Sequence, residues 1–138
     1  MPSFICELPV RFGDVDSATM MYYPKFYHYF HSAFEELFPT RMGKIYADVL
    51  YKDGVGFPAA HQECDFRNPV RYGETLHIAI SCQKVGTKSV SLRYAMADKA
   101  TGEVRAECLM TLVCIDFKTG KSQEIPKVYR AMFEGLKP

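Results

Sequence analysis

At Leu76, Ile78, Ile80 and Cys82, and again at Val90, Leu92, Tyr94 and Met96, every second residue is apolar. His77, Ala79, Ser81 and Gln83, then Ser91, Arg93, Ala95 and Ala97, fill the gaps. Strand side chains alternate between faces, so this pattern predicts two half-buried strands. Val85-Gly86-Thr87 joins them as a turn, and Asp98-Lys99-Ala100-Thr101-Gly102 turns the chain into a long final strand over 104–117. Leu109 to Ile115 is apolar on both faces apart from Thr111, which predicts a central or covered strand. Upstream, 59–67 reads as a strand up to the break at Arg67-Asn68-Pro69. Phe4, Cys6, Leu8 and Val10 share one face of an N-terminal strand, with Pro9 at an edge or end.

A sheet with one apolar face has to bury it. Only one segment is long and apolar enough to serve. Phe26, Phe30, Ala33, Phe34 and Leu37 recur at helical spacing, His28, His31, Ser32 and Glu35 lie opposite, and Pro39 ends the helix. A second helical pattern, Met42, Ile45, Tyr46, Val49 and Leu50, stops before Asp53-Gly54. Pro126 marks the start of a short C-terminal helix. The pattern predicts an α+β fold, a curved antiparallel sheet wrapped around one long helix, with 1–138 forming a single domain.

The composition, 48% apolar and 24% charged, is that of a soluble globular protein, and a net charge of +1 argues against a general nucleic-acid binder. No apolar run reaches the ~20 residues of a membrane span, and the first residues carry no visible signal peptide. The five cysteines are odd in number, widely spaced and without a Cys-x-x-Cys pair. They read as reduced thiols of a cytoplasmic protein.

Function concentrates in Arg11-Phe12-Gly13-Asp14-Val15-Asp16-Ser17-Ala18-Thr19-Met20-Met21-Tyr22-Tyr23-Pro24, the crossing from the first strand into the long helix. The N–H groups at a helix N-terminus carry partial positive charge and can hold an oxyanion. A carboxylate beside them, Asp16, supplies the other part needed to hydrolyse an activated ester. The plainer reading makes Asp16 a helix cap worth ~1 kcal/mol. Asp14, nearer the strand, reads as structural, bonding within the crossing or to Arg11. His61 and Glu63 share a strand face, so His61 either orients water or substrate, or is a satisfied strand histidine. His28 and His31 are three apart on one helical face, but no third ligand is evident and no metal site is predicted.

The element order, with Gly13-Asp14-Val15-Asp16 and Tyr22-Tyr23-Pro24, resembles the hotdog-fold acyl-CoA thioesterases, and within them the 4-hydroxybenzoyl-CoA thioesterase group. Gly56-Phe57-Pro58 and the run from Asp65-Phe66-Arg67-x-Pro69 through Tyr72-Gly73-Glu74 and Leu76 match further family motifs. The resemblance implies that Asp16 is catalytic, as nucleophile or general base, and that the backbone N–H of Tyr23 polarises the thioester carbonyl. It implies a homodimer or tetramer with active sites across a subunit interface. No cofactor is implied beyond the coenzyme A of the substrate, whose phosphates would lie near Thr87-Lys88-Ser89, with Arg71, Lys84 and Arg93 as further cations. Met20, Met21, Tyr22 and Tyr27 are the expected acyl-pocket residues, favouring a short, medium-length or aromatic group. One departure stands out. The family commonly places glycine just after the catalytic aspartate, where this chain has Ser17-Ala18-Thr19, so the loop is expected to be reshaped or the acyl group held elsewhere. The competing functions are a non-hydrolytic acyl-thioester binding or regulatory module and a hotdog dehydratase or hydratase.

Overall fold

A computed structural model describes residues 3–138. Strand β1 (Phe4–Pro9) leads through a single 3-10 turn at Phe12–Asp14 into helix α1 (Pro24–Met42) and the short α2 (Tyr46–Tyr51). There follow β2 (Val55–Gly56), β3 (Ala59–Phe66), β4 (Thr75–Val85), β5 (Ser89–Asp98), β6 (Val104–Val113), β7 (Ile115–Asp116) and helix α3 (Lys127–Glu134). The main sheet is antiparallel in the order β1-β4-β5-β6-β3, and β2 pairs with β7 apart from it.

Alternation does what it predicts. Leu76, Ile78, Ile80 and Cys82 on β4 and Val90, Leu92, Tyr94 and Met96 on β5 are all buried, as are Ala106, Cys108, Met110 and Leu112 on β6. Across this face lie Phe26, Phe30, Ala33, Phe34 and Leu37 of α1, also buried. Each fully buried phenyl or leucyl group contributes about 1.5–3 kcal/mol, which is why one helix suffices as cover.

Three features differ from the sequence prediction. Helix α1 runs through Pro39 to Met42, and Gly43 closes it in the left-handed conformation with its N–H bonded to the Pro39 carbonyl. Proline inside a helix costs about 3 kcal/mol in lost bonding and ring clash. Leu37 and Phe38, both fully buried, hold the last turns against that cost. The strand expected over 104–117 breaks at Cys114, whose N–H goes to the Lys88 carbonyl and whose carbonyl takes the Gln123 N–H. Ile115–Asp116 then pairs with β2, and a Cβ at Gly56 would meet the Ile115 side chain at 3.2 Å, so a larger residue there would have to push Ile115 aside. Finally, Cys64 and Cys108 stand opposite each other on β3 and β6, 4.2 Å apart at Cα, and form a disulfide. This corrects the reading of five reduced thiols and removes its support for a cytoplasmic location; Cys6, Cys82 and Cys114 are free and buried. No described helix is long and apolar enough to cross a membrane.

One ion cluster, centred on the buried Arg105, braces the loop between β3 and β4. Arg105 of β6 bonds to the Pro69 carbonyl (2.9 Å), Glu74 (2.7 Å) and Glu103 (2.6 Å), with Asp98 at 3.8 Å. Glu74 in turn accepts the Arg71 N–H at 2.7 Å. Breaking such a pair leaves an uncompensated buried charge, so the 68–74 loop is held firmly.

Candidate active site

The crossing from β1 to α1 is a tight reversal. Val15 bridges to Met21, the Asp16 N–H bonds to the Met20 carbonyl (2.9 Å), and the Thr19 N–H returns to the Asp16 carbonyl (2.9 Å). Asp16 closes the loop on itself: its Oδ1 accepts N–H groups from Ala18 (2.8 Å) and Met20 (3.3 Å). Its Oδ2 has no partner among the described residues and is free to act on a ligand. The braced 68–74 loop holds the reversal from below, through Met21 N–H to the Val70 carbonyl (2.7 Å) and Tyr72 N–H to the Thr19 carbonyl (3.3 Å).

Thr19 has φ +61°, the one residue other than glycine in the left-handed region among those described. The missing glycine is therefore met by strain at one β-branched residue, without avoidance of left-handed backbone.

A residue that the sequence did not single out ties this loop to the helix. Tyr29 is buried, accepts the Arg11 N–H (2.9 Å) and donates to Asp14 Oδ2 (2.7 Å). Burial pushes its phenol up to about 12, so it stays a donor. Lys25 stands 3.7 Å from the other Asp14 oxygen. A tyrosine in an aromatic-rich helix reads as core, and nothing in the local pattern marks its hydroxyl as a tether.

Pro24 opens α1 at the position where its missing N–H costs nothing, and the preceding Tyr23 N–H has no acceptor among the described residues. Met20, Met21, Tyr23 and Phe26 line a shallow recess of about 250 Å³ with Phe66 and Arg67. Asp16 is exposed and borders this recess through Met20 without lining it. The Phe66 ring packs against Tyr23 (6.5 Å), Phe26 (5.0 Å) and Tyr27 (6.1 Å). Beyond it lies a cavity of about 200 Å³ between α1 and the sheet, whose lining includes Tyr27, His31, Gln62, Tyr94, Met110 and Leu112. Tyr27, His31 and Phe34 line it from α1, so by the helical rise the cavity starts ~6 Å along the axis from the Tyr23 N–H and extends to ~16 Å.

Other predicted site residues lie elsewhere in the chain. Tyr22 is exposed against Tyr23 and lines none of the described cavities. His61 is on the outward face of β3, its Nε2 3.1 Å from Glu63, away from α1. Thr87-Lys88-Ser89 forms the far end of the β4–β5 hairpin, ten residues and so ~33 Å along β4 from the loop that holds Asp16. Its carbonyls are fixed from α3: Arg130 donates to those of Gly86 (2.9 Å) and Thr87 (3.2 Å), a cation the sequence reading passed over. His28 and His31 part company, His28 lining a depression beside Asp14 and His31 the cavity, 3.4 Å from Glu35.

Comparison with known proteins agrees with this architecture. The sequence model of the thioesterase-like superfamily matches residues 10–133. A 1,4-dihydroxy-2-naphthoyl-CoA hydrolase of Nostoc punctiforme is 30% identical over 124 residues, 90% of this chain and 82% of the relative. The thioesterase-superfamily structure from Jannaschia sp. CCS1 aligns with a TM-score of 0.90 at 24% identity, over 99% of this chain and 94% of that one. The gentisyl-coenzyme A thioesterase BH1999 aligns at 0.80 with 26% identity, over 92% and 99%. The curved sheet around α1 is the hotdog fold.

Proposed function

The chain belongs to the thioesterase-like superfamily, and we propose that it hydrolyses an aromatic acyl-CoA to the free acid and coenzyme A. One observation carries this reading: a carboxylate with a free oxygen, Asp16, lies in the same reversal that delivers the unpaired Tyr23 N–H to the start of α1. The thioester carbonyl sits at the Tyr23 N–H. Asp16 either attacks it, giving a mixed anhydride that water then opens, or takes a proton from the attacking water. Both routes put negative charge on the carbonyl oxygen, where an aligned N–H lowers the barrier by about 3–4 kcal/mol. The acyl ring passes Phe66 into the cavity along α1. A ring substrate fits that apolar slot, and the relatives named for naphthoyl-CoA and gentisyl-CoA support an aromatic group. The reaction calls on no cofactor beyond the coenzyme A carried by the substrate.

The site is completed by a second copy of the chain. β3 is an eight-residue edge strand, exposed along almost all its length, and such an edge invites pairing. Its Phe66 end lies beside Tyr23 and its Ala59 end opposite Leu112, next to the 87–89 turn. Antiparallel pairing of β3 with its symmetry mate sets the Ala59 end of one copy against the Phe66 end of the other. The partner's 87–89 turn is thereby carried toward Asp16, with Lys88 and Ser89 placed to meet phosphate groups and His61 buried near the seam.

The test is release of free thiol from a panel of aliphatic and aromatic acyl-CoAs, with Asp16→Asn beside the wild type. The variant is expected to lose at least ~100-fold in kcat while melting normally. Binding of acyl-CoA without thiol release would mark a binding module, and hydration of an enoyl thioester a dehydratase; full activity of Asp16→Asn would remove this residue from the mechanism.

A further inference from the structure

Three tyrosines are buried among the described residues, and two have conventional partners: Tyr29 bonds to Arg11 and Asp14, and Tyr129 donates to Asp53. Tyr94, on β5, is 1% exposed, and its hydroxyl has no hydrogen-bond partner among the described residues. Buried tyrosine hydroxyls ordinarily find one, because a polar group left dry has given up its water without replacement. The hydroxyl is not sealed in, either. Arg105 Nε is the one fully enclosed side-chain polar atom without a partner among the described residues, so the Tyr94 oxygen keeps access to open space. The space available to it is the cavity along α1, which Tyr94 lines. Its ring is fixed against Phe30, at 5.4 Å, and against the sheet, leaving the hydroxyl little freedom to turn elsewhere. Burial pushes the phenol well above its ordinary value, with Tyr46 adding to the effect, so it remains a neutral group able both to donate and to accept.

We infer that Tyr94 reads the substrate: its hydroxyl bonds an oxygen substituent on the acyl ring, at the end remote from the thioester. The inference rests on the hydrolase reading above and adds to it a specificity-determining residue, the one that tells a substituted acyl ring from a bare one. Met110 and Leu112 on β6 and Phe34 on α1 give the cavity an apolar lining, and the other polar-bearing side chains on it are Tyr27 and the exposed His31 and Gln62. A buried hydroxyl in a largely apolar pocket discriminates between ligands, because one without the matching group leaves it unpaired.

The experiment compares kcat/KM for benzoyl-CoA and its three monohydroxylated isomers in the wild type, Tyr94→Phe and Tyr129→Phe. The wild type should favour one hydroxylated isomer over benzoyl-CoA. In Tyr94→Phe that ratio should fall about tenfold, and in Tyr129→Phe, which loses an equally buried hydroxyl away from the cavity, it should not change. An unchanged ratio in Tyr94→Phe, or an equal fall in Tyr129→Phe, overturns the inference. Should no aryl-CoA be hydrolysed by the wild type, the hydrolase reading fails. Calorimetry with hydroxybenzoic and benzoic acids on the same proteins then decides Tyr94, which is sustained by a hydroxyl preference lost in Tyr94→Phe and refuted by its absence.

Discussion

Replacing Thr19 by glycine should make this protein more stable, against the usual direction of such a change. Thr19 holds φ +61° in the reversal around Asp16. The left-handed region costs an L-residue about 1–2 kcal/mol, and a β-branched side chain lies at the upper end. Glycine removes that cost and adds about 0.4–1 kcal/mol of unfolded-chain entropy. The hydrogen bond from Thr19 Oγ1 to the Ala18 carbonyl is exposed, so its loss weighs little. The balance is a gain of about 0.5–1 kcal/mol, or roughly 2–3 °C in Tm for a chain of this size. Urea and thermal unfolding of wild type, Thr19→Gly, Thr19→Ala and Thr19→Asn provide the assay. The expected order is glycine above asparagine, asparagine above wild type, with alanine close to wild type because it keeps a Cβ in the strained region. A glycine variant melting at or below the wild type, with alanine equal to it, would refute the assignment of strain to this residue.

Tyr29→Phe removes only the hydroxyl that ties Arg11 and Asp14 to α1; kcat should fall several-fold with KM little changed, whereas Tyr129→Phe should leave both alone. Mixing an inactive Asp16→Asn chain with a Lys88→Glu chain should restore activity toward about a quarter of wild type if two copies share each site, and no recovery would argue for sites within one chain. Asp53, hydrogen-bonded by Lys44 (2.8 Å) and Tyr129, is held below the ordinary carboxylate value in the folded protein. A depressed folded pKa gives stability that is full above the unfolded value of about 3.9 and lost as pH falls through the folded one. Asp53→Asn should therefore flatten the decline of urea midpoint below about pH 4, and parallel curves would exclude this role.

Period and punctuation were enough to identify α1, the β4–β5 hairpin, the inward residues of β4 and β5 and the Asp16 reversal, because each depends on neighbours within a few positions. Other features answered to contacts far along the chain. Pro39 is kept inside α1 by the burial of Leu37 and Phe38, a tertiary term larger than the local penalty. β3 leaves its successor β4 to pair with β6 at the opposite edge, which alone brings Cys64 to Cys108 across 44 positions. The final strand breaks at Cys114 because Lys88 and Gln123 claim its backbone groups. Tyr29 and Tyr94 look alike in the sequence, two tyrosines on apolar faces. One hydroxyl meets Asp14, 15 residues away, and the other meets an open cavity, a distinction that exists only once helix and sheet are packed together. Local periodicity thus determined which faces are buried and where a carboxylate enters the helix; packing decided what each buried polar atom faces, because hydrogen-bond partners are chosen by distance in space and not by separation in the chain.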